Sequence, residues 1–200
     1  MEEESNNDFE ILEKCRVCGN NDLKGYLDLG KMPLVNVYPE NDQLNEKDKL
    51  FPLEVKFCEE CALSQIGVVV KPEMMYEYYP YRSSISKTFV QHCKEYAIKS
   101  LKQFDLDDQD LIVDIASNDG CLLNEFKKLG VKTLGVDPAE NLAKIANERG
   151  IPTLPIFWNK ENAEKIREEH GQARLINASN VFAHVHDLGS FLEGINILLD

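Results

Sequence analysis

Two cysteine pairs carry the plainest chemistry in this chain. CRVCG at 15–19 and CEECAL at 58–63 each separate two thiols by two residues, giving Cys15/Cys18 and Cys58/Cys61. That spacing lets both sulfurs of a pair reach one ion, and four thiolates complete a tetrahedral Zn²⁺ site. The 39 residues between the pairs exceed those of a compact finger, so two knuckles are expected to clasp across an inserted loop. A closed four-cysteine site has no open coordination position and would fold a module rather than do chemistry. Redox thiols and chance spacing are the competing explanations.

The second constellation is VDIASNDGCLL at 113–123, an apolar strand that turns through polar residues into a helix. In open parallel sheets, ligands sit beyond the carboxyl ends of the strands. Here the strand ends at Asp114-Ile115-Ala116 and the loop is Ser117-Asn118-Asp119-Gly120. Asn and Asp tolerate left-handed backbone, and Gly120 lets a ligand approach the helix start, so the turn survives with few glycines. The pattern G-x-G-x-x-G is absent, and no Lys or Arg lies between Asp105 and Phe126. A pyrophosphate at the helix start would be repelled by Asp119. S-adenosylmethionine has no phosphate and carries a positive sulfonium and ammonium, so an acidic loop suits it. Asp137 ends the next strand, 23 positions beyond Asp114. An acid there can accept from both ribose hydroxyls of an adenosine. Alone, either acid is as readily a helix cap or turn residue; on successive strand ends, the two together point to the cofactor.

Other reactive residues are less specific. His184 and His186 in NVFAHVHDLGSF could both ligate a metal only from a strand, and no third ligand is apparent. A cap or a satisfied polar role competes with a place for His184 at the ligand edge. Cys93 and Cys121 have no evident partner and read as packing residues. DLDDQD at 105–110 imitates the start of a calcium loop but lacks the Gly at position six and the closing Glu.

These groups must be positioned by a chain of 200 residues, 43% hydrophobic, with a net charge of −13. That composition supports a packed core and argues against a nucleic-acid backbone as partner; the acidity otherwise serves solubility. No apolar run approaches the roughly 20 residues that span a bilayer, and the acidic start MEEESNNDFEILE has no signal-peptide pattern. No membrane partner and a cytoplasmic, reducing location are expected. Residues 1–14 read as a flexible acidic arm and 15–72 as an irregular metal module. Residues 73–104 read as a linker and first helix (87–104), and 105–200 as an alternating strand–helix domain. Strands are expected at 111–116, 132–136, 152–157 and 174–178. Helices are expected at 121–129, 139–149, 160–169 and 187–199, with Asn159 an N-cap and Gly171 past a helix end. Such alternation means a parallel sheet with right-handed crossovers.

The words CRVCG, LDLGKMPLVN, FPLEVKFCEECALSQI, YPYRSSIS, DIASNDGCLL, GVDPAENLAKIANERGIP and NVFAHVHDL, in this order over 15–195, resemble the zinc-containing sugar C-methyltransferases. These enzymes methylate carbon in nucleotide-linked keto-deoxysugars. The resemblance implies an α/β chain: a small N-terminal zinc-binding module followed by a partial class I methyltransferase (Rossmann-like) parallel sheet with flanking helices. It implies that Cys15, Cys18, Cys58 and Cys61 hold structural zinc. Asp114, Ser117, Asn118, Gly120 and Asp137 would hold S-adenosyl-L-methionine, with Asn180 beyond the fourth strand beside them. Tyr79, Tyr81, Ser83 and Ser84 would face the active site between module and sheet, the tyrosines with His184 in catalysis and the serines on substrate. Judged by residue type alone, tyrosines flanking Pro80 are equally packing or turn residues.

The implied reaction removes the proton beside a ketone and lets the enolate attack the cofactor methyl. It needs a general base within reach and donors for the oxyanion. His184 or a Tyr hydroxyl is the candidate donor or relay. The partner would be a small-molecule nucleotide sugar; another small-molecule or protein acceptor, or a non-catalytic zinc- and cofactor-binding scaffold, stays open. About four strands precede residue 200 where the class has seven, so a missing C-terminal half or a partner chain is expected, since an unpaired edge is a liability. The 200 residues by themselves are therefore expected to show no turnover, and methylation of any keto-sugar by them would refute this.

Overall fold

The computed structural model describes residues 8–38, 41, 45 and 47–200, and the chain divides into two compact units, Met1–Met75 and Tyr76–Asp200. In the first unit, β1 (Phe9–Ile11) comes before β2 (Leu23–Pro33), β3 (Leu50–Cys58), β4 (Ser64–Ile66) and β5 (Val68–Val70), with a one-turn helix α1 (Pro72–Tyr76) after them. Strands β2, β3 and β4 form an antiparallel sheet in that order, and β1 pairs antiparallel with β5, Phe9 opposite Val70. Part of the expected arm, 9–11, is thus tied into a ladder, and Phe9 packs edge-on against Phe51 at 5.8 Å. The fully buried apolar side chains of this unit, among the described residues, are Cys15, Phe51 and Cys58. So thin a core cannot by itself offset the entropy of ordering the unit, and small modules of this kind need a staple.

The second unit starts with α2 (Lys87–Phe104), which begins where Ser86 accepts from the Phe89 amide. Then β6 (Leu111–Ile115), α3 (Cys121–Lys128), β7 (Lys132–Val136), α4 (Glu140–Glu148), β8 (Thr153–Leu154), α5 (Lys160–His170), β9 (Leu175–Asn177) and α6 (Leu188–Leu198) alternate. All four strands pair parallel, in the order β8-β7-β6-β9. The Asn159 carboxamide accepts from Asn162 N at 2.8 Å, and Gly171 follows α5 in left-handed backbone. The expected strands at 152–157 and 174–178 are shorter than anticipated, because two- and three-residue edge strands satisfy their remaining groups through turns.

Alternation along the strands sorts the core onto two faces. Ile112 joins α2 and α3 in a cluster with Cys93, Ala97, Leu123 and Phe126, whereas Val113, Ile115, Leu134 and Val136 pack on the other side with Ala163, Ile166, Phe191 and Leu198. Asp114 shares the Ile112 face. Its register partners are Gly135 on one side and Asn177 on the other, and Gly135 in turn pairs with Thr153. One row across the sheet thus reads Thr153, Gly135, Asp114, Asn177. A Cβ on Gly135 would lie 2.5 Å from Ser117 Oγ and 2.6 Å from Thr153 Oγ1, so glycine is what lets the loop close down on the sheet.

The loop beyond β6 puts every second residue in left-handed backbone: Ala116 at φ 58°, Asn118 at 54° and Gly120 at 74°. Asn and Gly accept this readily, but Ala does so at a cost of roughly 1–2 kcal/mol. Glycine at 116 would lose somewhat more chain entropy on folding, about 0.4–1 kcal/mol. Ala116→Gly should therefore raise the unfolding free energy of the second unit, read from urea denaturation, by up to about 1.5 kcal/mol; a lower value would show that the Ala116 methyl contributes more packing than its backbone costs.

Candidate cofactor site and metal centre

The two cysteine turns are built alike. Cys15 N bonds Asn20 O at 2.8 Å and its carbonyl accepts from Gly19 N at 2.9 Å; Cys58 N bonds Leu63 O and its carbonyl accepts from Ala62 N, both at 2.9 Å. Gly19 and Ala62, at the fifth position of each turn, are both left-handed, at φ 74° and 61°. Each turn thus curls its two thiols to one side. Gln65, buried on β4, braces the first turn by accepting from Arg16 N at 3.0 Å and donating to Lys14 O at 3.3 Å. All four sulfurs lie within 4.8 Å of one another, with Cys15–Cys61 and Cys18–Cys58 each at 3.5 Å. A tetrahedron of Zn–S bonds near 2.3 Å has edges of about 3.8 Å, so the quartet fits one zinc ion. Burial opposes ionisation of Cys15, but amide donors from Cys18 and Val17 and hydrogen bonds from Cys61 and Cys18 outweigh it and draw its thiol down to about 6. The same sulfur–sulfur contacts push Cys18 and Cys61 up, so without a cation the quartet does not ionise together. A thiolate is the form that binds metal.

At the sheet's carboxyl edge, Asp114 is buried and accepts from Asn177 Nδ2 at 2.6 Å; Asn177 Nδ2 also reaches Ser179 Oγ at 3.2 Å. Burial pushes the Asp114 carboxyl up to about 7, opposed by the Asn177 bond and aided by the nearby Asp137 charge. Asp137, also buried, takes Asn118 N on Oδ2 at 2.7 Å and Ala139 N on Oδ1 at 2.9 Å. Its pKa too is raised by burial, against those two amide donors. Two carboxylates, one on each successive strand end, thus flank the left-handed loop. Each oxygen of Asp137 retains a lone pair for a hydroxyl donor. Ser117 Oγ is buried with no hydrogen-bond partner among the described residues, and it lies over Gly135 beside Thr153.

Asp119 does not act as expected from the sequence. Its side chain is fully buried and turned inward, where Arg149 Nη1 reaches Oδ2 at 3.2 Å and Ser84 donates both its amide, at 3.3 Å, and its hydroxyl. The charge that was to repel a pyrophosphate is neutralised inside the protein, and the negative potential at the strand ends comes from Asp114 and Asp137. Arg149, near the end of α4, carries no sequence signal for this pairing. Ser84, expected on substrate, is an internal strut whose hydroxyl is engaged by Asp119 and by Arg149 at 3.3 Å. Ser83 gives its amide to Asn118 Oδ1 at 2.9 Å.

Of the remaining expected residues, Tyr79 is half-buried, Tyr81 is 52% exposed, and His184 ends an exposed 3-10 turn, Phe182–His184. Asn180 is exposed in left-handed backbone at φ 55°; the asparagine that enters the polar row is Asn177. The signal for it lay in RLINA: the last residue of the fourth strand is the one that faces the first strand's acid. Cys93 and Cys121 are not solitary, since their sulfurs approach to 4.0 Å between α2 and α3. Among the described residues no helix is long and apolar enough to cross a membrane.

Residues 15–76 match a family model described as "Putative zinc binding domain", and 113–200 match a methyltransferase domain. The chain thus matches a zinc-binding domain model and a methyltransferase domain model in succession. It is 35% identical over 189 residues to the C-methyltransferase NovU of Streptomyces niveus, covering 94% of this chain and 45% of that protein. The chain thus spans about half the length of that curated relative. Among solved structures, a SAM-dependent methyltransferase from Anabaena variabilis aligns at 19% identity and TM-score 0.42, over 51% of this chain and 45% of that one. DesVI of Streptomyces venezuelae aligns at 16% identity and TM-score 0.42, over 61% and 55%.

The zinc domain's dependence on its ion is directly measurable. Metal analysis should find one zinc per chain, and Cys58→Ser should lower that content. Stripping the ion with a chelator should speed amide exchange throughout the described residues of 8–75, since the module has little other core. Unchanged exchange in the stripped protein would mean that the strands hold without metal.

Proposed function

We propose that this chain binds S-adenosyl-L-methionine and serves a C-methyltransferase whose acceptor is a nucleotide-linked keto-deoxysugar. The observation that carries the cofactor assignment is the pair of buried carboxylates, Asp114 and Asp137, on successive parallel strand ends around a glycine-poor left-handed loop. Carbon as the acceptor is supported by the relative NovU, a C-methyltransferase. The sugar class is supported by the motif resemblance.

When bound, the cofactor supplies an electrophilic methyl group. The chain's own residues do the rest of the work assigned to them here. Asp137 would accept from the ribose hydroxyls, its orientation fixed by the amides of Asn118 and Ala139. Asp114, held by Asn177, would lie nearest the cationic end and keep that charge in a water-poor site, where it counts most. The hydroxyls of Tyr79 and Tyr81 and the imidazole of His184 would donate to the oxyanion that forms when the proton beside the ketone is removed. Zinc holds the first unit folded and has no open coordination position.

Calorimetry tests the cofactor step on the chain as it stands. S-adenosylmethionine should bind one to one, and Asp137→Asn should weaken binding about tenfold, the loss of one charged hydrogen bond. The pH dependence follows from Asp114. A neighbouring cation favours its ionised form, so binding near pH 7 should release a proton, detected as a heat that varies with the buffer. Affinity should then fall below pH 7, toward a limit of about tenfold per unit. A flat titration would overturn the cofactor assignment. Scoring methyl transfer to a panel of dTDP-linked keto-sugars by mass spectrometry, with the natural-length protein, tests the acceptor.

A further inference from the structure

The segment that carries Tyr79 and Tyr81 is held to the two strand-end loops by side chains that imitate a backbone. Asn141, in the first turn of α4, accepts from Tyr79 N on Oδ1 at 3.1 Å and donates from Nδ2 to Tyr79 O at 2.9 Å. Asn118, in the loop after β6, accepts from Ser83 N on Oδ1 at 2.9 Å and donates from Nδ2 to Tyr81 O at 3.1 Å. Each carboxamide therefore presents one acceptor and one donor to the strap, as a neighbouring strand would. Glu140 N adds a bond to Glu77 O at 3.1 Å, and the buried Asp119 with Arg149 fixes the far end at Ser84.

Asn118 also faces the other way. Its own amide donates to Asp137 Oδ2 at 2.7 Å, and its left-handed backbone is what lets one residue point amide and side chain to different neighbours. The carboxylate assigned to the ribose is thus one residue away from the strap that bears the tyrosines. We propose that Asn118 and Asn141 are positioning residues: cofactor held on Asp137 steadies Asn118, and the two asparagines pass that order to the strap, so that Tyr79 and Tyr81 are held more firmly over a loaded site. This rests on the cofactor assignment above, and it assigns to the two asparagines a task that contact with the cofactor alone does not require.

Hydrogen exchange read by mass spectrometry on peptides covering 77–86, with and without saturating S-adenosylmethionine, tests it. In the wild-type chain the ligand should slow exchange at the Tyr79 and Ser83 amides about tenfold, an ordinary coupling magnitude. Asn118→Gly keeps the left-handed backbone and the amide to Asp137 but removes the clasp. In that variant, at ligand concentrations that saturate it by calorimetry whatever its affinity, the ligand-dependent protection of Ser83 should disappear. Asn141→Ala favours the helix and should abolish the effect at Tyr79 alone, and Asn118→Asp, which keeps the acceptor for Ser83 N, should restore part of the effect at Ser83. If the ligand binds and 77–86 exchanges as before, the coupling is refuted and the cofactor assignment stands. If the ligand does not bind at all, both fall. A clasp that serves folding only would speed exchange in the variants equally with and without ligand.

Discussion

The parallel register of β6 with both its neighbours is the constraint on which the site depends. It sets Asp114 between Gly135 and Asn177, on the face that also carries Ile112. A shift of one residue would send the acid to the opposite face, into the apolar cluster of Val113, Leu134, Ile166 and Phe191. Held in this register, the carboxylate has one strong donor in Asn177, and on its other side Gly135, with no side chain, leaves room for Ser117 over β7. The loop above it is then obliged to turn sharply. It does so by taking left-handed backbone at alternate residues, one of which is an alanine.

Burial does two different things to the acids here. Asp119 is taken fully inside and matched by Arg149 and Ser84, so its charge serves to hold the loop, α4 and the segment before α2 together. Asp114 and Asp137 are buried too, but among neutral donors. Their charge is not cancelled, and the shortage of compensation is what raises both pKa values. An acidic pair left this way favours a cation. Perturbed acids of this kind cluster at functional sites because stability alone would have removed or neutralised them.

The zinc domain obeys a different economy. Its two cysteine turns repeat one hydrogen-bond pattern, and few of its apolar side chains are buried, so four sulfurs around one ion would take the place of a hydrophobic core. The sulfurs lie in a closed quartet, and no fifth ligand among the described residues joins them. Cys93 and Cys121 in the second unit show the contrast: two thiols brought to 4.0 Å by helix packing, with apolar neighbours and nothing to coordinate.

Much of this was legible without coordinates. The clustering of four cysteines, the alternation of strands and helices, the caps at Asn159 and Gly171 and the two acids at strand ends all follow from local chemistry: short spacings, hydrophobic period and turn residues act over a few positions, and the sequence lists them in order. What only the tertiary structure decided is which way polar side chains face across distant elements. Asn177 rather than Asn180 meets Asp114 because strand register, set by the whole sheet, chooses between them. Asp119 turns inward because Arg149, 30 residues on, is carried to it by α4. Ser84 and the two clasping asparagines likewise find their partners through packing. A side chain's type fixes what bonds it can make, but only the folded chain determines which partner is within reach.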